Sequence, residues 1–323
     1  MSMLANAPMS NTPNADRPGN ASVKEVRGAQ LRDLAKTLPL RVLSEDDFTH
    51  WQTYGYVVVP NAVPDEQVRA TRDFLWEFQE MDPNDPASWS RPQMRDHAMT
   101  ELNNSGMVEV YNHQTLWDNR QTQRVYDAFV DIWDRTDLWV SIDRANLNTP
   151  NTGKRAFDGF IHWDADTTAD PLPINVQGVL SLVDTTDDMG GFQCVPDLFA
   201  NFEQWRKTAP SGRDPFRPDM DNIPYEPKRI EMKAGDLVIF NSLLAHGIRA
   251  NRSDQSRIAQ YISMAPATPE EQELIDWRVK SWSERLPARG HAFPGDPRNW
   301  EQTRYDRANL TPLGEKLLGK TRW

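Results

Sequence analysis

Apolar positions change their spacing near residue 138, and that change divides the chain. Ahead of it they recur at helical steps. Ser44 followed by Glu45, Asp46 and Asp47 has the form of a capping box, with Phe48 and Trp51 as the apolar face of a short helix. Gly55 ends that helix, and Tyr56-Val57-Val58-Val59 is a β-rich run stopped by Pro60. Pro64-Asp65-Glu66 opens a second helix with Val68, Phe74, Leu75 and Phe78 on its buried side. The Pro- and Asn-rich stretch 82–106 predicts a long loop. Val125, Phe129 and Trp133, at four-residue steps, predict a helix over 118–135.

From Leu138 the apolar runs are short and split by turn residues: 138–147, 157–164, 174–184, 192–195, 228–233, 236–240 and 257–264. Strands this short, with no helices between them, predict an antiparallel sandwich or barrel and not a parallel sheet. Residues 197–227 interrupt the series as an insertion with a short helix around 202–206. Pro269-Glu270-Glu271 then starts a helix through Trp277, followed by a Trp-, Arg- and Pro-rich remainder of little period. Residues 1–38, rich in Asn, Pro, Ser and Ala, predict a disordered or loosely packed segment. The expected organisation is one domain over 39–323, with helices first, a β core at about 138–264 and a C-terminal cover over 265–323.

Composition narrows the function classes. Hydrophobic residues make up 38% and charged residues 26% of the 323, as in a soluble globular protein. A formal net charge of −11 argues against a nucleic-acid partner, because phosphate binding needs a clustered basic face. The one cysteine, Cys194, allows neither an intrachain disulfide nor a thiolate zinc site, which favours a reducing compartment. No run approaches 18 apolar residues, so no membrane span is expected, and no signal-peptide pattern opens the chain. The expected location is cytoplasmic. Twelve tryptophans either pack the core or line an apolar cavity.

The candidate chemistry lies in the β region. In Phe160-Ile161-His162-Trp163-Asp164, His162 and Asp164 are two apart and so face one side of a strand. One imidazole and one carboxylate are two-thirds of the facial triad of non-haem iron(II) oxygenases; a polar strand end is the plainer reading. Ala234-Gly235-Asp236 turns into the strand Leu237–Phe240 and then Leu243-Leu244-Ala245-His246-Gly247, which places His246 to enter such a site from the opposite sheet. The plainer reading of His246 is a buried histidine bonded to a carbonyl. Arg257, heading the last strand, needs a carboxylate, either that of a bound 2-oxo acid or a structural partner such as Asp254 or Asp236.

The ordered set resembles the phytanoyl-CoA dioxygenase family of Fe(II)/2-oxoglutarate-dependent oxygenases from about Leu43 to Met264. The segments are Leu43–Phe48 with Tyr54–Pro60, His162-Trp163-Asp164, Val179–Asp184 with Gly190–Pro196, Gly235–Phe240, His246-Gly247, Asn251-Arg252-Ser253 and Arg257. The resemblance implies a mainly β protein with flanking helices and a double-stranded β-helix (jelly-roll, cupin-like) core. It implies iron held by His162, Asp164 and His246, 2-oxoglutarate on Arg257, dioxygen as oxidant, and succinate and carbon dioxide released as a small molecule is hydroxylated. Gln177, on the strand after Asp164, reads either as a polar contact to the co-substrate or as an outward-facing side chain. A carboxylate at Asp164, where related halogenases carry a small residue, favours hydroxylation, desaturation or rearrangement over halogenation. Asp197-Leu198-Phe199 departs from the family's Gly-Ser-His, and Ile248 stands where a small residue is common.

Substrate-lining candidates are Trp163, Arg144, Asn146, Tyr111, His113 and Trp205-Arg206. Each also reads as an ordinary structural residue: Trp163 by strand alternation, Arg144 by pairing with Asp143 or Asp158. The rival functions are a cupin-like metal enzyme that does not use 2-oxoglutarate and a silent β-helix binding module. A dimer is compatible with this sequence but not demanded by it.

Overall fold

The computed structural model describes residues 20–89, 106–151, 158–290 and 292–323. Its centre is a six-stranded antiparallel sheet in the order Tyr56–Val59, Leu237–Asn241, Val176–Ser181, Arg257–Tyr261, Ala145–Asn148, Met107–Val108. Side chains on a strand alternate between faces, and here both faces are buried. Val57, Val59, Ala145, Leu147, Leu180, Leu237, Ile239 and Ile258 join one apolar cluster with the helical residues Phe74, Leu75, Phe78, Val125 and Phe129. Tyr56, Val179, Val238, Phe240 and Ala259 point the other way. They meet Phe192, Cys194 and Val195 from a smaller sheet, His246–Ile248 with Phe192–Cys194 and Lys228–Arg229. The site lies on this second, inner face.

The helices form as the apolar spacing predicts. Ser44 and Asp47 complete a reciprocal capping box on Glu45–Tyr54, and Gly55 ends that helix with φ +80°. Asp65–Phe78 buries Val68, Phe74, Leu75 and Phe78. The predicted helix over 118–135 is two helices, Gln114–Arg120 and Gln123–Trp133, because His113 supplies an N-cap upstream and the chain breaks at Gln121. Of the expected loop 82–106, Pro86–Trp89 is a helical turn, and 90–105 lie outside the described residues.

Three expected strands are shorter or divided. Run 138–147 is split between Leu138–Val140, paired with Met264–Pro266, and Ala145–Asn148 in the main sheet. Segment 157–164 contributes only isolated pairings at Gly159 and His162, with 152–157 outside the described residues. Run 228–233 is a strand only at Lys228–Arg229. The insertion carries two helices, Pro196–Ala200 and Phe202–Thr208. The C-terminal cover is more helical than its composition suggests, with Gln272–Glu284, Trp300–Arg304 and Pro312–Leu318. From residue 20 the N-terminal segment packs on the core: Ser22 and Leu31 are buried, and Val26–Arg27 pairs with Pro173–Ile174.

Two aspartates on one helix fasten that segment. Asp131 is fully buried and accepts the backbone N–H groups of Arg41, Val42 and Leu43 at 2.8–2.9 Å. Asp134 does the same for Thr37 and Leu38. Replacing Asp131 by alanine strands three donors, and an unsatisfied buried polar group costs about 1–3 kcal/mol. Asp131→Ala is expected to destabilise the protein by about 3 kcal/mol, read as a lower urea midpoint at unchanged slope.

Candidate metal centre

The site is assembled by backbone pairing across two loops. Asn241 closes the strand Leu237–Asn241 with an Asx turn: its Oδ1 accepts Leu243 N–H at 2.9 Å and its carbonyl accepts Leu244 N–H at 2.9 Å. That turn delivers His246 to the edge of the smaller sheet. There His162 and His246 exchange both backbone hydrogen bonds, at 2.8 and 2.9 Å, and Phe160 N–H reaches Ile248 O at 3.0 Å. Residues facing each other this way carry their side chains on the same side. His162 and His246 therefore arrive as neighbours on one edge, not from opposite sheets as the sequence suggested, with ring centroids 4.6 Å apart.

Asp164 follows two residues later and turns back to both rings. His162 Nε2 lies 3.2 Å from Asp164 Oδ1, and His246 Nε2 lies 3.1 Å from Oδ2. One ligand atom from each residue falls within 4.8 Å of the other two. His246 Nδ1–H donates to Leu244 O at 2.8 Å, which fixes the tautomer and leaves a lone pair on Nε2. Two lone pairs held 3.1 Å apart require a proton or a metal cation between them. Gln177 Nε2–H donates to Asp164 Oδ2 at 2.6 Å, so this side chain serves the carboxylate and does not face away. Burial disfavours the charged forms here, yet the two groups support each other. Asp164 is held well below the usual carboxylate range by His162 and His246, and His162 is held above the usual imidazole value by Asp164. Access to the group is from one side: His246 is buried, while the side chains of His162 and Asp164 are 26% and 38% exposed.

Farther along the same inner face, Arg257 is 5% exposed and donates Nη1–H to Asn146 Oδ1 at 2.7 Å. Neither proposed structural partner reaches it. Asp236 is taken by the N–H groups of Asn61 and Lys233, and Asp254 by Gln255. Among the described residues, no carboxylate pairs with Arg257. Nearby Arg249 differs, because all three of its nitrogens are spent on the carbonyls of Asp187, Phe192 and Thr186. Asn148, directly opposite Arg257, is buried with neither end of its amide partnered. A guanidinium in such surroundings is prepared for an anion that enters from outside.

Comparison with known proteins agrees with this geometry. The sequence matches the phytanoyl-CoA dioxygenase (PhyH) family over residues 51–259. The chain belongs to that family. A Dictyostelium discoideum protein whose name places it among the phytanoyl-CoA dioxygenases is 23% identical over 267 residues, covering 68% of this chain and 75% of its own. Ava biosynthesis cluster protein O of Aspergillus versicolor is 22% identical over 277 residues, covering 75% and 88%. Among solved structures, the epimerase SnoN in complex with Fe3+, alpha ketoglutarate and nogalamycin RO superposes with a TM-score of 0.51 at 17% identity, covering 69% of this chain and 84% of its own. The fold is a double-stranded β-helix core with flanking helices. Among the described residues, no helix is long and apolar enough to cross a membrane.

Where this phytanoyl-CoA dioxygenase family member departs from its relatives, the structure gives the packing. Asp197-Leu198-Phe199 lies in the helix Pro196–Ala200 and buries Leu198 and Phe199, the latter against Gly55. Of the substrate candidates, Trp163 is placed away from the site. Strand alternation sends it into the core against Trp205 and Phe202, with Nε1–H on Leu243 O. Trp205 shares that cluster, and Arg206 bonds Ala169 O. His113 caps a helix and stacks on Phe74 at 3.5 Å, and burial lowers its pKa to about 4. Asn146 belongs to the site through Arg257. Arg144 pairs with Glu109, not with Asp143 or Asp158.

Sequence reasoning missed Asn148 and Glu109, which carry no motif, and the reason for Gly247. A Cβ at Gly247 would stand 1.8 Å from the Phe160 carbonyl oxygen, so only glycine lets the two histidine-bearing segments meet. Gly247→Ala is expected to cost at least tenfold in divalent-metal affinity, measured by titration with cobalt(II), while far-UV circular dichroism stays close to wild type.

Proposed function

We propose that this protein is an iron(II)- and 2-oxoglutarate-dependent oxygenase that oxidises an unactivated C–H bond of a small molecule. The observation that carries the reading is the convergence of His162 Nε2, His246 Nε2 and the Asp164 carboxylate on one point. Two neutral imidazoles and a carboxylate on one face suit non-haem iron(II), and a metal cation between His246 and Asp164 would satisfy the lone pairs of both. When bound there, the iron with 2-oxoglutarate and dioxygen supplies the oxidation and releases succinate and carbon dioxide.

The chain's own residues do the rest. Leu244 O fixes the His246 tautomer, and Gln177 holds one Asp164 oxygen, so the donors are aimed before a ligand arrives. Arg257, held by Asn146, receives the distal carboxylate of 2-oxoglutarate. This contact separates the reading from a cupin-like enzyme without that co-substrate. The apolar part of the inner face, with Val179, Val238 and Phe240, excludes water from its share of the space between the sheets. Likeness to a biosynthesis-cluster protein favours a natural-product intermediate as substrate.

Anaerobic addition of iron(II) and then 2-oxoglutarate is expected to give a visible charge-transfer band. Its absence in wild type, or its persistence in a His162→Ala, His246→Ala double variant, rejects the assignment. Arg257→Ala is expected to keep iron binding and weaken 2-oxoglutarate binding roughly ten- to a hundredfold, the worth of a charge-assisted hydrogen-bond pair of about 1.5–3 kcal/mol. Unchanged 2-oxoglutarate affinity in that variant would favour the cupin-like alternative.

A further inference from the structure

A second guanidinium on the inner face is prepared for an anion. Arg144, Asn146 and Asn148 alternate onto the same face as Arg257, and Tyr261 N–H donates to Arg144 O at 3.1 Å. Tyr261 in turn stands opposite Val179, two residues from the Asp164-binding Gln177. Arg144 therefore lies at the metal end of the space between the sheets, while Arg257 lies toward the other end.

Its surroundings occupy only one corner of the guanidinium. Nη1 donates to Glu109 Oε1 at 2.9 Å and to Ala292 O. Glu109 is itself shared, its second oxygen accepting from Tyr111 OH and from Gly295 N–H. The Phe293 ring lies 4.5 Å from the guanidinium carbon and fixes its plane. Among the described residues, nothing accepts from Nε or Nη2. Those two N–H groups form the side-on fork of arginine, parallel and spaced for a carboxylate. The Arg144 side chain keeps 8% exposure, whereas Arg120 is fully buried with its Nε enclosed and unpartnered.

We propose that the side-on fork of Arg144 binds a carboxylate of the primary substrate. The proposal rests on the oxygenase reading above: with one end of 2-oxoglutarate on Arg257 and the other at the metal, the co-substrate leaves this fork vacant. The substrate class is then an organic acid whose carboxylate is held beside Tyr261, with the carbon to be oxidised directed at the His162–Asp164–His246 group.

The test uses full-length protein loaded with zinc(II) and saturating 2-oxoglutarate, probed by saturation-transfer NMR. The probes are aromatic and aliphatic monocarboxylates, each paired with its primary amide. At least one acid is expected to bind wild type tenfold more tightly than its amide. That preference falls to within twofold in a Glu109→Gln, Arg144→Met variant, which removes both halves of the buried pair. Arg144→Lys keeps the charge and the Glu109 partner but lacks the fork, and it also weakens the acid. The affinity for 2-oxoglutarate moves less than twofold in both variants. The proposal is overturned if no acid is preferred by wild type, if the preference survives in the variants, or if 2-oxoglutarate affinity falls with it. Wild type that shows no charge-transfer band with iron(II) and 2-oxoglutarate fails the oxygenase reading itself, and that measurement precedes the panel.

Discussion

The reciprocal hydrogen bonds between His162 and His246 are the contact on which the centre depends. Each histidine comes from a segment that is otherwise irregular: 158–164 holds only isolated pairings, and 242–245 is a turn. Neither would hold a side chain to a few tenths of an ångström alone. Joined edge to edge, they inherit the rigidity of the smaller sheet, since Cys194 stands directly behind His246 in register. Gly247 is the condition for this contact, because the neighbouring Phe160 carbonyl occupies the volume any side chain would need. Asp164 then needs no strand of its own. It is returned to the two rings by its place two residues beyond His162, with Trp163 buried between them as an anchor.

The main sheet explains where polar groups are tolerated. Its outer face is apolar and sealed by helices, and its inner face mixes Val179, Val238 and Ala259 with Gln177, Asn146, Asn148, Arg144 and Arg257. Burying such groups is unfavourable unless each is paired. Arg278 is fully buried and spends its nitrogens on the carbonyls of Leu318, Ser22, Val140 and Leu317. On the inner face, by contrast, among the described residues the Asn148 amide has no partner, and Arg257 and Arg144 lack an acceptor on part of their forks. At about 1–3 kcal/mol for each unmet group, stability is given up where a ligand would restore it.

Residue order revealed much of this. His162 and Asp164 two apart, His246 before a glycine and Arg257 heading an apolar strand were legible because strand alternation and turn chemistry act locally. The strands at 56–59, 176–181 and 237–241 were legible as short apolar runs, since both of their faces are buried. What was not legible is set by contacts between distant residues. Strand alternation offered the reading in which Trp163 turns from the site, but not the Trp205 and Phe202 that receive it. His113 reads as a polar loop residue until Phe74, some forty positions earlier, is seen stacked on it. The partner of Arg144 could be guessed as Asp143 or Asp158 from proximity in sequence, but Glu109 reaches it from the residue after a two-residue edge strand that no periodicity marks.

The same distinction bears on substrate choice. The family match ends at residue 259 and contains the metal-facing residues and Arg257. The wall around Arg144 is built largely beyond it: Ala292 O, the Phe293 ring and Gly295 N–H all come from the C-terminal cover. That cover is fixed to the front of the site by Glu301, which is buried and accepts the N–H groups of Tyr111 and Asn112. Burial pushes the pKa of Glu301 up to about 7 despite these bonds. The metal-facing residues thus lie within the matched segment, while the wall around Arg144 is completed from outside it. If Arg144 holds the substrate as proposed, the chemistry of Ala292, Phe293 and Gly295 around it bears on substrate choice more than the family name does.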